Sequence, residues 1–382
     1  GDTSIVAHPY FREIFPYLAL YFTAPRKSGL PNFADSTYQP DLLPTIKTAQ
    51  AYIQDPRINQ HLREHFQAPA GGLLSVHCFT PVGPSQDYAD LPLDRAFNMG
   101  WVALRSAWRD EDGTLFAFNS SPSELGHCHR DANSFVVNVA GQWLATDPGY
   151  HEPNPGPDRD FSDGTEGHNS VTVDGQGQCR LGGGKIADFF TSPELAYVLG
   201  DAASGYTADL LKTFRRHVIY VRPDYFLVFD EMESDGTPRS FASLLHTDTQ
   251  GRLSVSGATV LIEKNRQRLW TQVLMPSSPE IETAASARYG PYVRIRAPEK
   301  FVKGHHLMLL TPQPAAERTA LAQPPAQGEA RQEGRQFVVI VRLASRQDTV
   351  VINPARVSFN FRGQSGNGPV LLIRDGKAYT GQ

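Results

Sequence analysis

The chain has 382 residues, 40% hydrophobic and 20% charged, with a formal net charge of −4. That length exceeds one ordinary core and implies two or three domains, and the charge balance argues against a dominant nucleic-acid role. No apolar run approaches the roughly 20 residues of a membrane span, and three cysteines, Cys78, Cys128 and Cys179, lack metal-ligand spacing and leave the redox compartment open.

The chain starts at Gly1 with no visible signal peptide, so a processed product or a fragment is expected. Residues 9–22 carry a helix-period stripe of Phe11, Ile14, Phe15, Leu18 and Phe22, with Pro16 as an internal defect. Tyr10, Tyr17 and Tyr21 read as packing residues. Residues 31–36 break the pattern. Two further helices are predicted over 42–54 and 57–66, divided by Asp55-Pro56. His61 and His65 lie one turn apart and, with no third ligand nearby, read as a solvated face. Gly71-Gly72 then mark a change of texture, and from Leu73 onward the chain reads as strands.

Within this β-like stretch a hairpin is predicted over 134–139 and 142–146 with Ala140-Gly141 at its turn. In front of the hairpin His127, His129 and Asp131 are spaced i, i+2, i+4, which puts all three on one face if the segment is extended. Cys128 would then point the other way, as a buried small residue. Asp147 ends the hairpin and His168 precedes a strand over 170–173. Two imidazoles and a carboxylate brought from neighbouring strand ends match an open transition-metal site, and His129, Asp147 and His168 are the candidate ligands. A His-x-His pair that is merely solvated or hydrogen-bonded is the competing reading.

Further strands are predicted over 195–200, 208–221, 225–231, 240–246, 260–264, 268–274, 292–296, 305–310, 336–343 and 370–374. Residues 315–334 are rich in Pro, Ala, Gln and Glu and read as a surface loop. Gly182-Gly183-Gly184-Lys185 lacks the spacing of a phosphate loop. The result is a mainly β chain, with antiparallel β-sandwich domains behind a short helical segment. Its expected divisions are 1–70, 71–262 and 263–382.

The segment from Gly126 resembles the signature of the heparinase II/III-like polysaccharide lyases. The matching residues are Gly126, His127, His129, Asp131, Ser134, Phe135, Asp147, Pro148, Gly149, His168, Asn169, Ser170, Val171, Val173, Asp174 and Gly175, with Arg130 where a small residue is usual. The resemblance implies Zn2+ on His129, Asp147 and His168, and an active-site role for His127. It makes the helical segment the end of an α/α toroid, with Asn32, Phe33, Asp35 and Ser36 in a stretch that follows the toroid helices. Arg105 and Trp108 fall in an Arg-Ser-x-Trp segment, where Arg105 is expected to bind anionic sugar or to form a structural ion pair. Arg130 is a second candidate for substrate.

The implied activity is β-elimination on a uronic-acid-containing polysaccharide, of heparin or heparan sulfate type, with alginate or another oligouronate as the alternative. Arg130, Arg159, Arg180, Lys185, Arg215 and Arg216 are the cations available for sulfate. Most of the toroid is missing from this sequence, so the chain is expected to form one wall of the active site, with a helical segment or chain as partner and a periplasmic or secreted setting. Two other readings stay open: a carbohydrate-binding β-sandwich with structural zinc, and a zinc hydrolase using metal-bound water.

Overall fold

The computed structural model describes residues 8–10, 14–38, 53–65, 83–122, 127–150, 152–179, 182–315 and 323–381. The expected helix over 42–54 falls mostly, and Gly71-Gly72, Gly126 and Arg180 wholly, outside them. Two helices open the described chain, α1 (Phe15–Phe22) and α2 (Pro56–His65). Pro16 is in the first turn of α1, where a missing N–H costs nothing, rather than at an internal defect. Asp55 caps α2 by accepting the Arg57 amide at 2.9 Å, with Pro56 as the first helical residue.

The rest is antiparallel sheet. A meander of β1 (Arg95–Phe97), β2 (Trp101–Arg105), β3 (Thr114–Asn119), β4 (Ser134–Val139) and β5 (Gln142–Ala145) lies between two apolar layers. One face holds Ala103, Leu115, Ala117, Val136 and Trp143 and packs on Leu20, Phe22, Ile58 and Leu62 of the helices. The other holds Leu104, Phe116, Phe118, Phe135 and Val137 and packs on the largest sheet. Burial on both sides explains why β3 and β4 read as runs of apolar residues with little polar alternation.

Twelve strands follow: β6 (Val171–Val173), β7 (Lys185–Thr191), β8 (Leu195–Asp201), β9 (Leu211–Val221), β10 (Tyr225–Ser234), β11 (Phe241–His246), β12 (Arg252–Ser256), β13 (Thr259–Lys264), β14 (Gln267–Met275), β15 (Glu280–Ser286), β16 (Gly290–Arg296) and β17 (Lys303–Gln313). Eight of them form the largest sheet, in the order β12-β13-β14-β17-β10-β9-β8-β7, and four form β15-β16-β11-β6. The expected division after residue 262 falls inside β13, and the eight-stranded sheet takes strands from both sides of it.

The last layer comprises β18 (Ala326–Glu333), β19 (Gln336–Leu343), β20 (Gln347–Ile352), the small hairpin β21 (Phe359–Phe361) and β22 (Gln364–Gly366), β23 (Val370–Arg374) and β24 (Lys377–Thr380). Its sheet, β18-β19-β20-β23-β24, lays Phe337, Val339, Val350, Ile352 and Leu372 on Ile219, Tyr225, Leu227 and Leu309 of the eight-stranded sheet. Strand β18 corrects the latter part of the expected loop over 315–334, of which 316–322 lie outside the described residues: its polar sequence pairs residue for residue with β19, because an edge strand can face solvent. Among the described residues no helix is long and apolar enough to cross a membrane.

Several histidines are interior groups. His61 is buried, its ring near the Thr23 hydroxyl at 3.3 Å, and is not the solvated face expected of it, because α2 turns that side toward α1. Burial holds its pKa well below the ordinary imidazole value; the same cause lowers His246 to about 3 and His306 to about 4. Such groups are neutral in the folded state and take up a proton on unfolding below about pH 6.5, so their stability is present above that pH and lost as pH falls. His168, described below, is shifted up, so below pH 6 it is protonated in both states and adds nothing there, which leaves a net uptake of about three protons on unfolding. The metal-free protein is therefore expected to lose roughly 4 kcal/mol per pH unit below pH 6 from these groups. Chemical denaturation at pH 7, 6 and 5 checks this, and a flat stability over that range contradicts it.

Candidate metal centre

The site is assembled where the β4–β5 hairpin, the turn before β6 and the segment 31–36 meet. Ala140 and Gly141 take positive φ, +47° and +82°, as a tight hairpin turn requires. The hairpin delivers Thr146, whose amide donates to the His246 carbonyl at 3.1 Å, and then Asp147. Gly149 has φ +67°, and a Cβ there would meet the Ser36 carbonyl at 2.8 Å, so only glycine lets residues 32–36 close over this corner. Asn32 seals the approach, its side-chain amide donating to the Asp147 carbonyl at 2.8 Å.

His129, Asp147 and His168 come together, each offering one ligand atom within 4.8 Å of the others, and all three are buried. Their donor set, two imidazole nitrogens and a carboxylate oxygen, suits Zn2+ with a coordination position left over. His168 Nε2 faces the Ser162 carbonyl at 3.1 Å and Nδ1 faces Asp147 Oδ2 at 2.7 Å. Donation from Nε2–H to the carbonyl turns Nδ1 toward the site, the usual orienting contact behind a metal-bound histidine. Burial alone would lower the His168 pKa, but Asp147 and Asp131 outweigh it and the shift is upward; Asp147 is correspondingly lowered against its own burial by His168. Asp131 is raised, chiefly by burial, and accepts the Asn119 amide at 2.7 Å.

The segment before the hairpin is a loop, and β4 starts only at Ser134. His127 has φ +77°, so the backbone turns there and the three side chains do not share a strand face. His129 and Asp131 point inward, while the His127 side chain is 78% exposed. Cys128 is half-buried. Asp35 ties the two histidines together: Oδ2 meets His127 Nδ1 at 2.8 Å and Oδ1 meets His129 Nε2 at 3.1 Å. The sequence shows Asp35 only as part of a short stretch after a helix, 94 positions from His129, and no local spacing signals the contact.

Two expected substrate residues have other partners. Arg105 is buried, and its guanidinium donates to the carbonyls of Tyr21 at 2.9 Å and Thr23 at 2.6 Å, pinning the end of α1 to β2. It presents no face to an anionic sugar, and its partners are main-chain oxygens rather than an acid. Arg130 is partly exposed and pairs with Asp163 at 2.9 Å, at the end of the short helix α3 (Pro157–Asp163). Arg216, counted among the cations available for sulfate, is completely buried.

Asn169 is a further residue that the strand pattern alone does not single out. Its amide donates to the carbonyls of Phe135 at 2.7 Å and Thr146 at 2.9 Å, and its oxygen accepts the His246 amide at 2.7 Å. One buried side chain thus fixes β4, the end of β5 and β11 beside two of the candidate ligands. Asn169→Ala leaves three main-chain groups unsatisfied and is expected to cost about 3 kcal/mol. Urea denaturation measures this, and a cost below about 1 kcal/mol would show that water replaces the amide.

Residues 90–319 match the family model described as Heparinase II/III-like, C-terminal. No curated protein matches the chain. A solved heparinase III, the BT4657 gene product, aligns over 87% of this chain and 51% of its own, with 17% identity and a TM-score of 0.66. Heparan sulfate lyase HepC from Pedobacter heparinus aligns over 88% of this chain and 52% of its own, with 16% identity and a TM-score of 0.63. A further heparinase III aligns over 92% and 55%, with 16% identity and a TM-score of 0.66. At these identities the likeness is one of fold, and the chain spans about half the length of the solved structures. The helices, the stacked antiparallel sheets and the match over most of the chain lead to one conclusion: the chain belongs to the heparinase II/III-like family.

Proposed function

We propose that this chain supplies the zinc-bearing wall of a polysaccharide lyase, which cleaves a uronic-acid-containing polysaccharide of heparin or heparan sulfate type by β-elimination. The observation that carries this reading is the meeting of His129, Asp147 and His168 at one buried point, with exposed His127 tied to the same corner through Asp35. Elimination next to a uronic acid requires a base for the C5 proton, neutralisation of the carboxylate and a proton for the departing O4. His127 is suited to move one of those protons. With Nδ1–H donating to Asp35, its Nε2 is the nitrogen left to meet substrate.

Zn2+, held by His129, Asp147 and His168, would supply a fixed positive charge that orders the 127–131 loop and the groove edge. The remaining acid–base groups are assigned to a helical partner, the α/α toroid segment or chain, which faces this wall. Of the cations expected to meet sulfate or carboxylate, Arg215 and Lys185 are exposed and Arg130 and Arg159 partly exposed. A periplasmic or secreted setting follows from that substrate class.

The test joins elemental analysis to the ultraviolet absorbance of the unsaturated uronate product, with heparan sulfate, heparin and alginate as substrates and the helical partner present. Stoichiometric zinc with absorbance gain on the sulfated polymers supports the proposal, and gain on alginate alone moves the substrate to an unsulfated uronate. Zinc with polymer binding but no turnover leaves a carbohydrate-binding module, and cleavage without the chromophore points to a hydrolase. Neither zinc nor absorbance on any of these polymers defeats the reading.

A further inference from the structure

Beneath the metal centre, on the side away from solvent, stands a charged group that the proposed chemistry does not use. Arg216 on β9 is the largest completely buried side chain described, and it lies directly across from Asp230 on β10. Its Nε and Nη2 donate to the two oxygens of Asp230, at 2.7 and 2.8 Å. Its Nη1 donates to two main-chain carbonyls, those of Asn133 and Asn169, each at 2.6 Å. The rings of Phe135 and Phe214 flank the guanidinium at 5.6 and 5.4 Å. Ser243 places its hydroxyl 3.4 Å from Asp230 and 2.8 Å from His306 Nδ1.

The two carbonyls matter because of where they lie in the chain. Asn169 directly follows the ligand His168, and Asn133 follows Asp131 in the loop that carries His129. Both loops are irregular, and Asn133 itself is held in the left-handed region at φ +63°. Neither loop has a ladder of its own to fix it, yet a single guanidinium nitrogen bonds to both. A planar, bidentate arginine gripped by a carboxylate cannot rotate without breaking that pair, so the separation of the two carbonyls is set by the two N–H directions of one fixed nitrogen, Nη1.

We propose that Arg216, held by Asp230, is a positioning residue for the metal centre that fixes the distance between the loops bearing His129 and His168. This rests on the zinc reading above and goes beyond it by assigning a second, buried pair whose role is to hold the ligands in register. Lysine in its place keeps a charge but has no planar fork to bridge the carboxylate and both carbonyls. Asparagine in place of Asp230 keeps the shape but loosens the grip on the arginine.

Zinc affinity by chelator competition, measured with thermal unfolding of the metal-free forms, tests the assignment on the wild type, Arg216→Lys and Asp230→Asn. Both variants are expected to unfold cooperatively and to bind zinc about 10–100-fold more weakly, as losses behind metal ligands do. A lower melting temperature with wild-type zinc affinity would show a merely structural pair and overturn the proposal. Should either variant fail to fold, the coupling is read in the wild type from the exchange rate of the Arg216 Nε–H. Zinc is expected to slow it at least about tenfold, since coupling is reciprocal, and a rate indifferent to zinc also overturns it. Wild-type protein that takes up no zinc defeats the metal reading and this inference with it, whereas tight zinc binding in every variant defeats the inference alone.

Discussion

Replacing His168 with alanine is expected to abolish stoichiometric zinc binding and to remove about 3–5 kcal/mol from the stability of the metal-free protein. The ring is fully buried between the Asp147 carboxylate, 2.7 Å from Nδ1, and the Ser162 carbonyl, 3.1 Å from Nε2. Without it, Asp147 and Asp131 share a buried pocket and lose the cationic neighbour that opposes their burial. Removing one partner of a buried pair costs far more than the pair is worth in isolation, because the survivor is left charged and dry. A second loss adds to the first at working zinc concentrations: ligand that binds only the folded state stabilises it by RT ln(1 + [L]/Kd), and that contribution vanishes with the site. Asp147→Asn separates the two, since it preserves the volume and removes the charge. It is expected to bind zinc more than about 100-fold less tightly while costing less in the metal-free form. Elemental analysis after gel filtration and denaturant unfolding with and without zinc are the measurements. One zinc per chain in the His168→Ala protein would place the ion elsewhere.

The meeting of His129, Asp147 and His168 was legible because the residues lie at chain positions with their own signals. Asp147 ends a hairpin marked by Ala140-Gly141, and His168 precedes a strand marked by Val171 and Val173. What the sequence could not show is how irregular segments fold back. The 127–133 loop reads as extended because its polar residues alternate, but the left-handed backbone at His127 and Asn133 breaks that alternation. Asp35 and Arg216 act across 94 and 47 positions respectively, from Asp35 to His129 and from Arg216 to Asn169, so no periodicity connects them to the site. Arginines mislead in the same way. Arg105 and Arg216 look like cations for an anionic substrate, yet Arg105 ends its donors on main-chain carbonyls and Arg216 divides its own between two such carbonyls and Asp230, and carbonyl partners carry no sequence signature. Among strands, the apolar interiors of β4, β9 and β10 are read readily. The edge strands β7 and β18 and the polar-faced β12 and β15 are lost, since solvent-facing residues leave them weakly patterned.

Replacing His127 with alanine or asparagine is expected to lower turnover by about 10²–10⁴-fold while leaving zinc content unchanged and stability within about 0.5 kcal/mol. The side chain is 78% exposed, so its removal opens no cavity, and its only described partner, Asp35, keeps a second contact to His129. Asparagine is the better control, because it tolerates the left-handed φ of +77° that position 127 adopts. Under the proposed chemistry His127 acts on a proton in flight rather than on the bound polymer, so the loss is expected in kcat with little change in KM. Asp35→Asn makes the contrasting case. Its two oxygens meet the His127 imidazole at 2.8 Å and that of the proposed ligand His129 at 3.1 Å, so that variant is expected to lose turnover and about 10–100-fold in zinc affinity together. Unchanged turnover in His127→Asn, with substrate binding and zinc intact, removes the imidazole from the chemistry and leaves a zinc-stabilised binding surface. Loss of turnover in His127→Asn with zinc retained, against loss of both in Asp35→Asn, would place proton transfer on the exposed ring and metal holding on the buried one.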